Sequence, residues 1–256
     1  MTVVSPVPVA ILARLAAVTL TMLAAGAICA AAQPPDQPPG QRPGLSLDQR
    51  AAAMEALFAK PRPPLLFREV WKQPPYSGEL TDAKRRITQA ALTNPNLQLQ
   101  LYGTDARDVE VWKHEGRYDL WNGLTTSPVA VTLQYKGRYL DLTGLARLRW
   151  ITRTEDLHVI HPVVRLADGT LLVGSHADSS QGPVQGEFLE TEMAFDNQRW
   201  FELDPARVVT TREVKNPDLS KVLEIGFTDL MPGGGHGFAG CINVADVQLY
   251  ATTHPR

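Results

Sequence analysis

Apolar and polar residues alternate with a period of two along most of the chain beyond residue 97. The clearest runs lie at 97–101, 129–135, 146–150, 223–227 and 247–249. Each run is short and bounded by Gly, Pro, Asn or Asp, which is typical of strands with one buried and one exposed face. No helix-length pattern interrupts the runs between 97 and 250. The sequence therefore predicts an all-β fold, an antiparallel two-sheet sandwich, over residues 97–251.

A helical pattern precedes the predicted sandwich. Ser46, with Gln49 three residues later, matches a capping box, and apolar residues follow at helical spacing until the prolines at 61, 63 and 64. A second short helix is predicted over 82–92. We therefore expect residues 46–96 to form a short extension that is helical or irregular, with one or two short N-terminal helices.

The first 45 residues have the pattern of an export segment followed by a tether. Residues 15–31 are apolar and uncharged, Arg14 precedes them, and alanines at 30–32 suit signal peptidase. We expect a signal peptide over 1–32 and a protein exported to the periplasm or the extracellular space, without a membrane anchor after cleavage. Residues 33–45 are proline-rich and predict an extended linker. The alternatives are a transmembrane anchor or a lipoprotein modified at Cys29.

Charge and cysteine content narrow the classes of partner. The chain has 25 Lys and Arg against 27 Asp and Glu, a formal net charge of −2, with no block of like charge. This balance argues against nucleic acids and anionic membrane surfaces as partners. After cleavage at residue 32 only Cys241 would remain, so no internal disulfide could form.

The segment HPVVRLADGTLLVGSHAD, residues 161–178, contains the main candidate site. Asp168 and Gly169 stand between two apolar runs and predict a two-residue hairpin loop, because both residues tolerate positive φ. That loop would place His161 opposite His176. It would also align four side chains on one face: His161, His176, Asp178 and Arg165. The opposite, core-facing side would then take residues 160, 164, 166, 171 and 173.

Two imidazoles and a carboxylate within cross-strand reach could bind a divalent metal or act as an acid–base pair. Arg147, Arg149 and Arg153 alternate along another predicted strand and are expected to add to the same polar face. Planar guanidinium groups suit oxygen-rich or acidic ligands. The alternative interpretation is a solvated face whose polar groups only form ion pairs.

The glycine-rich stretch at 226–240 lacks the lysine and the following helix that a phosphate loop requires. We therefore interpret it as a loop at the rim of the sandwich. Asp229 and His236 lie toward its two ends, where they could close over a ligand.

Four motifs in the second half of the chain read YLDLTGLARLRW, RWFELDP, NPDLSKVLEIGFTDL and INVADVQLY. Their order resembles that of galactose-binding-like jelly-roll domains, which include carbohydrate-binding modules, over about residues 97–251. It is also similar to an uncharacterised group of secreted bacterial proteins. The resemblance implies a jelly roll that binds sugar without catalysis.

The resemblance also implies particular residues. Many relatives hold a structural calcium through an acidic residue early in the last strand, a position that falls here on Ala245 or Asp246. Binding modules present exposed aromatic rings, for which Trp121 is the best candidate. Trp112 is a second candidate, whereas the rings of residues 150 and 200 are expected in the core.

Three functions remain open from the sequence. The first is a secreted carbohydrate-binding-like sandwich without catalytic activity, whose partner is a carbohydrate or another oxygen-rich ligand. Its candidate ligand-binding residues are His161, His176, Asp178, Arg147, Arg149, Arg165, Trp121, Asp229 and His236. The second is a metal-assisted or acid–base sugar-active enzyme that uses His161, His176 and Asp178. The third is a structural or adhesion domain. The sequence specifies no cofactor and does not decide whether a metal is bound.

Overall fold

The computed structural model describes residues 46–58, 61–180, 187–231 and 241–256. Within these ranges, fifteen strands form two antiparallel sheets of six and nine strands, which we call the smaller and the larger sheet. The helices are α1 (Leu47–Phe58) and α2 (Asp82–Arg85). The strands are β1 (Leu65–Val70), β2 (Leu97–Tyr102), β3 (Glu110–His114), β4 (Arg117–Trp121), β5 (Val129–Tyr135), β6 (Arg138–Asp141), β7 (Arg147–Thr154), β8 (His161–Leu166), β9 (Leu171–Gly174), β10 (Leu189–Ala194), β11 (Trp200–Leu203), β12 (Thr210–Val214), β13 (Val222–Asp229), β14 (Ile242–Tyr250) and β15 (Thr252–Pro255). The predicted antiparallel sandwich with short N-terminal helices is confirmed. The predicted signal peptide and linker lie outside the described residues.

The first helix begins as predicted, and the second is shorter than predicted. In the capping box of α1, the Ser46 hydroxyl accepts from the backbone N–H of Gln49 at 3.2 Å, and the Gln49 side chain accepts from that of Ser46 at 2.9 Å. Helix α2 ends at Arg85 because the backbone then pairs with the region of β3, where the Ile87 N–H donates to the Val109 carbonyl at 2.8 Å. Among the described residues, no helix has the length and apolar composition needed to cross a bilayer.

The smaller sheet is built around β14. Its strand order is β10–β7–β14–β4–β3, and β1 also pairs with β14. Strand β1 comes from the segment expected to be a helical or irregular extension, so the sandwich begins at Leu65 and not at residue 97. Alternation did not reveal β1 because it is a single edge strand between proline-containing segments. Strand β15 likewise continues the larger sheet beyond residue 251.

One extra residue in β14 changes which of its side chains face outward. Val244 pairs with Thr152 and Asp246 with Ile151, so Ala245 forms a bulge between them. Strict alternation would have turned Asp246 toward the core. With the bulge, Asn243 and Asp246 both lie on the outer face, while the valines at 244 and 247 pack into the core.

The larger sheet has the order β12–β11–β9–β8–β13–β5–β2, with β6 pairing β13 and β15. Its inner face packs against the smaller sheet through the main core, which includes Leu133, Trp150 and Ile225. Its outer face carries a second, smaller apolar cluster: Ala130, Val163, Leu171, Val173, Leu203 and Val208. The larger sheet therefore buries apolar side chains on both faces, unlike a strand pattern with one wet side.

The hairpin between β8 and β9 has a three-residue loop, so the prediction of a two-residue loop is wrong. Val163 pairs with Val173, and the Gly169 N–H donates to the Leu166 carbonyl at 2.9 Å. Gly169 alone takes positive φ, at +91°, as the bulge residue that follows a tight turn. Because side chains alternate, this slip of one residue moves Leu171 and Val173 from the expected core face to the outer face.

We predict that Gly226→Ala in β13 destabilises the protein severely. A Cβ at this position would lie 2.0 Å from the Val131 carbonyl oxygen and 2.6 Å from the Thr132 Cα of the neighbouring strand. We expect a loss of about 3 kcal/mol in the free energy of unfolding, or failure to fold. Gly137→Ala is the matched control, because its φ is +70° but nothing lies within 4 Å. Its cost should be about 1 kcal/mol, measured by urea denaturation. Equal losses in the two variants would contradict the close approach of β5 to β13.

Candidate ligand-binding site

The structure separates the three residues that were expected to form one cluster. His161 lies on the outer face of the larger sheet, and its Nδ1 donates to the His176 carbonyl oxygen at 2.8 Å. Asp178 instead pairs with Ile160, and its carboxylate accepts from Trp150 Nε1 at 2.5 Å, across the sandwich in the smaller sheet. The expected shared face of His161, His176 and Asp178 is therefore wrong. The physical reason is the register slip, followed by irregular backbone after Gly174.

His176 and Asp178 form a separate pair, in which Asp178 also contacts residues of the smaller sheet. His176 Nε2 lies 3.0 Å from Asp178 Oδ1, and Thr191 donates to the other carboxylate oxygen at 2.6 Å. The hydrogen bond to Asp178 raises the pKa of His176. Burial alone would raise the pKa of Asp178, but hydrogen bonds from His176, Thr191 and Trp150 lower it. Burial lowers the pKa of His161.

The predicted arginines lie on opposite sides of the sandwich, so the expectation of one shared polar face is wrong. Arg147 and Arg149 are on the outer face of the smaller sheet, where they pair with Glu192 and Glu190 of β10. Arg165 is on the outer face of the larger sheet. These ion pairs match the alternative interpretation of the arginine row, a face whose charges neutralise one another.

Arg165 belongs to a closed hydrogen-bond network on the larger sheet. Its guanidinium contacts Glu224 at 3.0 Å and the Tyr102 hydroxyl at 3.1 Å. The second oxygen of Glu224 accepts from Tyr102 at 2.7 Å and from Thr132 at 2.6 Å. Burial and the hydrogen bond to Glu224 raise the pKa of Tyr102. Glu224 thus has partners on both oxygens and offers little to a ligand.

Asp229 lies buried at the end of β13, where the sequence predicted a residue at the rim. Its carboxylate contacts His158 Nδ1 at 2.5 Å, accepts from Asn122 at 3.1 Å, and accepts from the Met231 N–H at 3.0 Å. Only 1% of Asp229 is exposed. This residue therefore ties together three segments of the chain. His236, predicted at the other end of the loop, lies outside the described residues.

Two tryptophans form an aromatic patch on the outer face of the smaller sheet. The rings of Trp112 in β3 and Trp121 in β4 meet edge to face, with centroids 5.3 Å apart. His114 stacks on Trp112 at 6.0 Å, and the Arg85 guanidinium lies 4.2 Å from the Trp112 ring. All four side chains are partly exposed. We call Trp112, His114 and Trp121 the tryptophan surface.

A buried hydrogen-bond network supports this surface. His114 Nδ1 lies 2.8 Å from one oxygen of Asp119, and the Asn243 amide donates to the other at 2.6 Å. Arg153 donates in turn to the Asn243 carbonyl oxygen at 3.2 Å. Because Asp119 and Asn243 are fully buried, the carboxylate fixes the proton of His114 on Nδ1 and leaves Nε2 as the ring's remaining polar atom.

Glu110 adds an unused acceptor beside the rings. Its Oε2 accepts from Trp112 Nε1 at 2.7 Å, while its buried Oε1 has no hydrogen-bond partner among the described residues. Burial raises the pKa of Glu110. A buried polar atom without a partner is costly to the folded state.

The sequence predicted Trp121 as an exposed ring but did not predict that most of the residues around it would meet. EVWKH and RYDLW alternate with period two on either side of Glu115-Gly116. Both turn residues take positive φ, at +51° and +82°, as a two-residue hairpin loop requires. That turn aligns Trp112 and His114 with Asp119 and Trp121, and the pattern HEGR was the available evidence for it.

The residues at the position expected for calcium do not fit that ion. Ala245 has no side-chain ligand atom, and the Oδ2 of Asp246 accepts from Arg68 Nε at 2.9 Å. A calcium ion needs six to eight oxygens, and a guanidinium already neutralises this carboxylate. Across the described ranges, no three His, Cys, Asp or Glu side chains are placed to share a metal. Burial, together with the charge of Glu155, raises the pKa of the Cys241 thiol to about 12.

No protein-family model and no curated protein sequence matches the chain. Among solved structures it is similar to the family 11 carbohydrate-binding module of a cellulosomal cellulase from Clostridium thermocellum, at 10% identity and a TM-score of 0.33, covering 62% of this chain and 85% of that one. It is also similar to peanut lectin, at 11% identity and a TM-score of 0.35, with coverages of 64% and 94%. It is similar to an exo-β-agarase at 11% identity and a TM-score of 0.36, but the similarity covers 67% of this chain and only 25% of that enzyme.

The pair of His176 and Asp178 should make stability depend on pH in one direction. Because the folded-state pKa of His176 is raised, its contribution is complete below the unfolded pKa of about 6.5 and is lost as the pH rises through the folded value. We expect the stability difference between wild type and His176→Gln to shrink from about pH 6 to about pH 9. Urea denaturation across this range measures it. A difference that stays constant or grows would contradict the pair.

Proposed function

We propose that this protein binds carbohydrate on the tryptophan surface of the smaller sheet. The observation that carries the proposal is the pair of partly exposed indole rings, 5.3 Å apart, set on a buried network of Asp119 and Asn243. Flat aromatic rings stack on the apolar C–H face of a sugar, and neighbouring polar groups bind its hydroxyls. The partner class is the one that the sequence analysis expected.

The polar groups beside the rings match the chemistry of a hydroxyl, which both donates and accepts. His114 Nε2 provides an acceptor beside the rings, because Nδ1 donates to Asp119. Arg85, over the Trp112 ring, provides donors.

The rings are held in place before any ligand arrives. A Cβ on Gly123 would lie 1.9 Å from the Trp121 indole, so that ring packs directly over the glycine backbone. Trp112 contacts His114 and Arg85, and its Nε1 donates to Glu110. Rigid aromatic side chains lose little entropy on binding, which favours affinity.

Of the residues predicted to bind ligand, Trp121 belongs to this surface. Arg147 and Arg149 lie on the same outer face, further along β7, where a longer chain would reach them. We further propose that the protein is exported by the segment 1–32 and held on the linker 33–45, since carbohydrate polymers are met outside the cell.

Acid–base catalysis on a sugar is the second candidate, and the contact between His114 and Asp119 favours it. A buried carboxylate at 2.8 Å that orients a half-exposed imidazole is the arrangement of a general base. This pair replaces the predicted His161, His176 and Asp178 cluster as the place where such chemistry would occur.

Removing either ring should weaken binding to polysaccharides. We expect Trp112→Ala and Trp121→Ala each to lower affinity by at least about tenfold, equivalent to about 1.4 kcal/mol. Affinity electrophoresis in gels containing mixed-linkage β-glucan, xylan, galactan or agarose measures this. Tyr139→Ala, on β6 of the larger sheet, is the matched aromatic control and should bind like wild type. Absence of retardation in every gel would refute the proposal and favour a structural or adhesion role.

The catalytic candidate is tested with the same polysaccharides. If the protein is an enzyme, reducing ends should accumulate with wild type and disappear with His114→Gln, while binding persists. His176→Gln should leave the rate unchanged, because that histidine lies in a separate pair. Retarded migration without any product supports a binding protein and removes catalysis on these substrates.

A further inference from the structure

The smaller sheet contains a cleft where β14 changes partners. Asn243 and Val244 pair with β4, residues 246–250 pair with β1, and the Ala245 bulge lies between. The end of β1 and the start of β4 therefore stand apart and enclose a cavity of about 570 Å³. It is lined by Arg68, Trp71, Arg117, Tyr118, Ala245 and Asp246, among others.

Two residues that line this cleft carry buried polar atoms without partners. Trp71 Nε1, a donor, and Asp246 Oδ1, an acceptor, make no hydrogen bond among the described residues. Trp71 is 2% exposed and Asp246 is 3% exposed. Leaving such atoms unsatisfied costs about 1–3 kcal/mol each, so two of them at one cavity indicate a missing partner.

The oxygen of Asp246 that lacks a partner is not the one that binds Arg68. Both contacts from Arg68 go to Oδ2, from Nε at 2.9 Å and from Nη2 at 2.5 Å. Neither Trp71 Nε1 nor Asp246 Oδ1 is exposed to solvent. A ligand must therefore turn the Asp246 carboxyl group, or shift the Trp71 indole slightly, toward the cleft. The cost of that small movement is offset by two hydrogen bonds that the empty cleft lacks.

The charges at the cleft select a neutral ligand. Arg68 and Arg117 bring two positive charges, and Glu115 and Asp246 bring two negative ones. An anion or a cation gains nothing from this balance. A hydroxyl group, by contrast, donates to a carboxylate and accepts from an indole N–H.

We propose that this cleft is a second binding site, which takes one neutral polyhydroxylated unit such as a monosaccharide or the end of a glycan. Its hydroxyls bind Asp246 Oδ1 and Trp71 Nε1, and the apolar lining beside Ala245 contacts its C–H groups. The ligand class rests on the proposed carbohydrate binding, but the cleft and the tryptophan surface share no residue.

The indole N–H groups provide a direct test. The chain has five tryptophans, so a ¹H–¹⁵N spectrum of the folded protein shows five indole cross-peaks. Trp71→Phe, Trp112→Phe and Trp121→Phe each remove one peak and thereby assign it, and the peaks that stay in place confirm folding. Glucose, galactose, mannose and N-acetylglucosamine are then titrated to about 100 mM, well above a Kd of ~1 mM. Betaine, which has no hydroxyl, is the control solute.

We expect the Trp71 peak to move downfield and to saturate with at least one sugar, because its N–H gains an acceptor. Trp71→Phe should weaken binding of that sugar at least about fivefold, followed through the backbone amide of Ala245. Trp121→Ala should leave the shift of the Trp71 peak unchanged. The second site is refuted if the chemical shift of the Trp71 peak stays unchanged with all four sugars, or if it changes equally with betaine.

The two proposals fail separately. If oligosaccharides move the peaks of Trp112 and Trp121 while Trp71 stays still, the tryptophan surface stands and the cleft falls. If a monosaccharide moves only Trp71, the cleft stands without the surface. If a buried water already satisfied Trp71 Nε1 and Asp246 Oδ1, the Trp71 peak would not move with any sugar. That outcome counts against the second site.

Discussion

The bulge at Ala245 is the constraint on which the rest of the smaller sheet depends. Strand β14 is the last long strand of the chain and pairs with β7, β4 and β1. The extra residue shifts by one position which side chains of β14 face outward. As a result Asn243 and Asp246 face outward, and Val244 and Val247 remain in the core. The first of these polar residues anchors the network under the tryptophans. The second lies in the cleft that opens where the pairing changes from β4 to β1.

Most buried polar side chains of the described residues form hydrogen bonds with one another, so the few atoms without a partner stand out. Glu224 has Arg165, Tyr102 and Thr132, and the carboxylates of Asp229 and Asp178 each hold a histidine. Such closed networks stabilise and rigidify the sandwich without offering atoms to a ligand. The free oxygens of Glu110 and Asp246 and the free indole N–H of Trp71 all belong to the smaller sheet or to the residue after β1. Arg147, whose Nε and Nη1 also lack hydrogen-bond partners, belongs to the smaller sheet as well, so the unpartnered buried atoms of the described residues are concentrated there.

The alternation of apolar residues was sufficient to predict most of the long strands, because each has a buried face that repeats every second residue. It failed at β1, where Phe67 gives too short a pattern, and at the hairpin of Asp168-Gly169. There the dipeptide correctly located the turn but not its length. Both a two-residue and a three-residue loop accept glycine with positive φ, and only pairing with β13 and β11 decides between them. The candidate cluster of His161, His176 and Asp178 depended on that single residue of register.

The sequence by itself determined the fold class, the core-facing residues of most long strands and the choice of Trp121 as a surface ring, because these follow from local periodicity and residue type. Tertiary structure alone decided which polar residues meet. Trp112 and Trp121 are neighbours because a turn pairs β3 with β4, and Trp71 and Asp246 share a cleft although 175 positions separate them in the chain. Contacts of that kind depend on register, bulges and strand order, which short-range patterns do not encode.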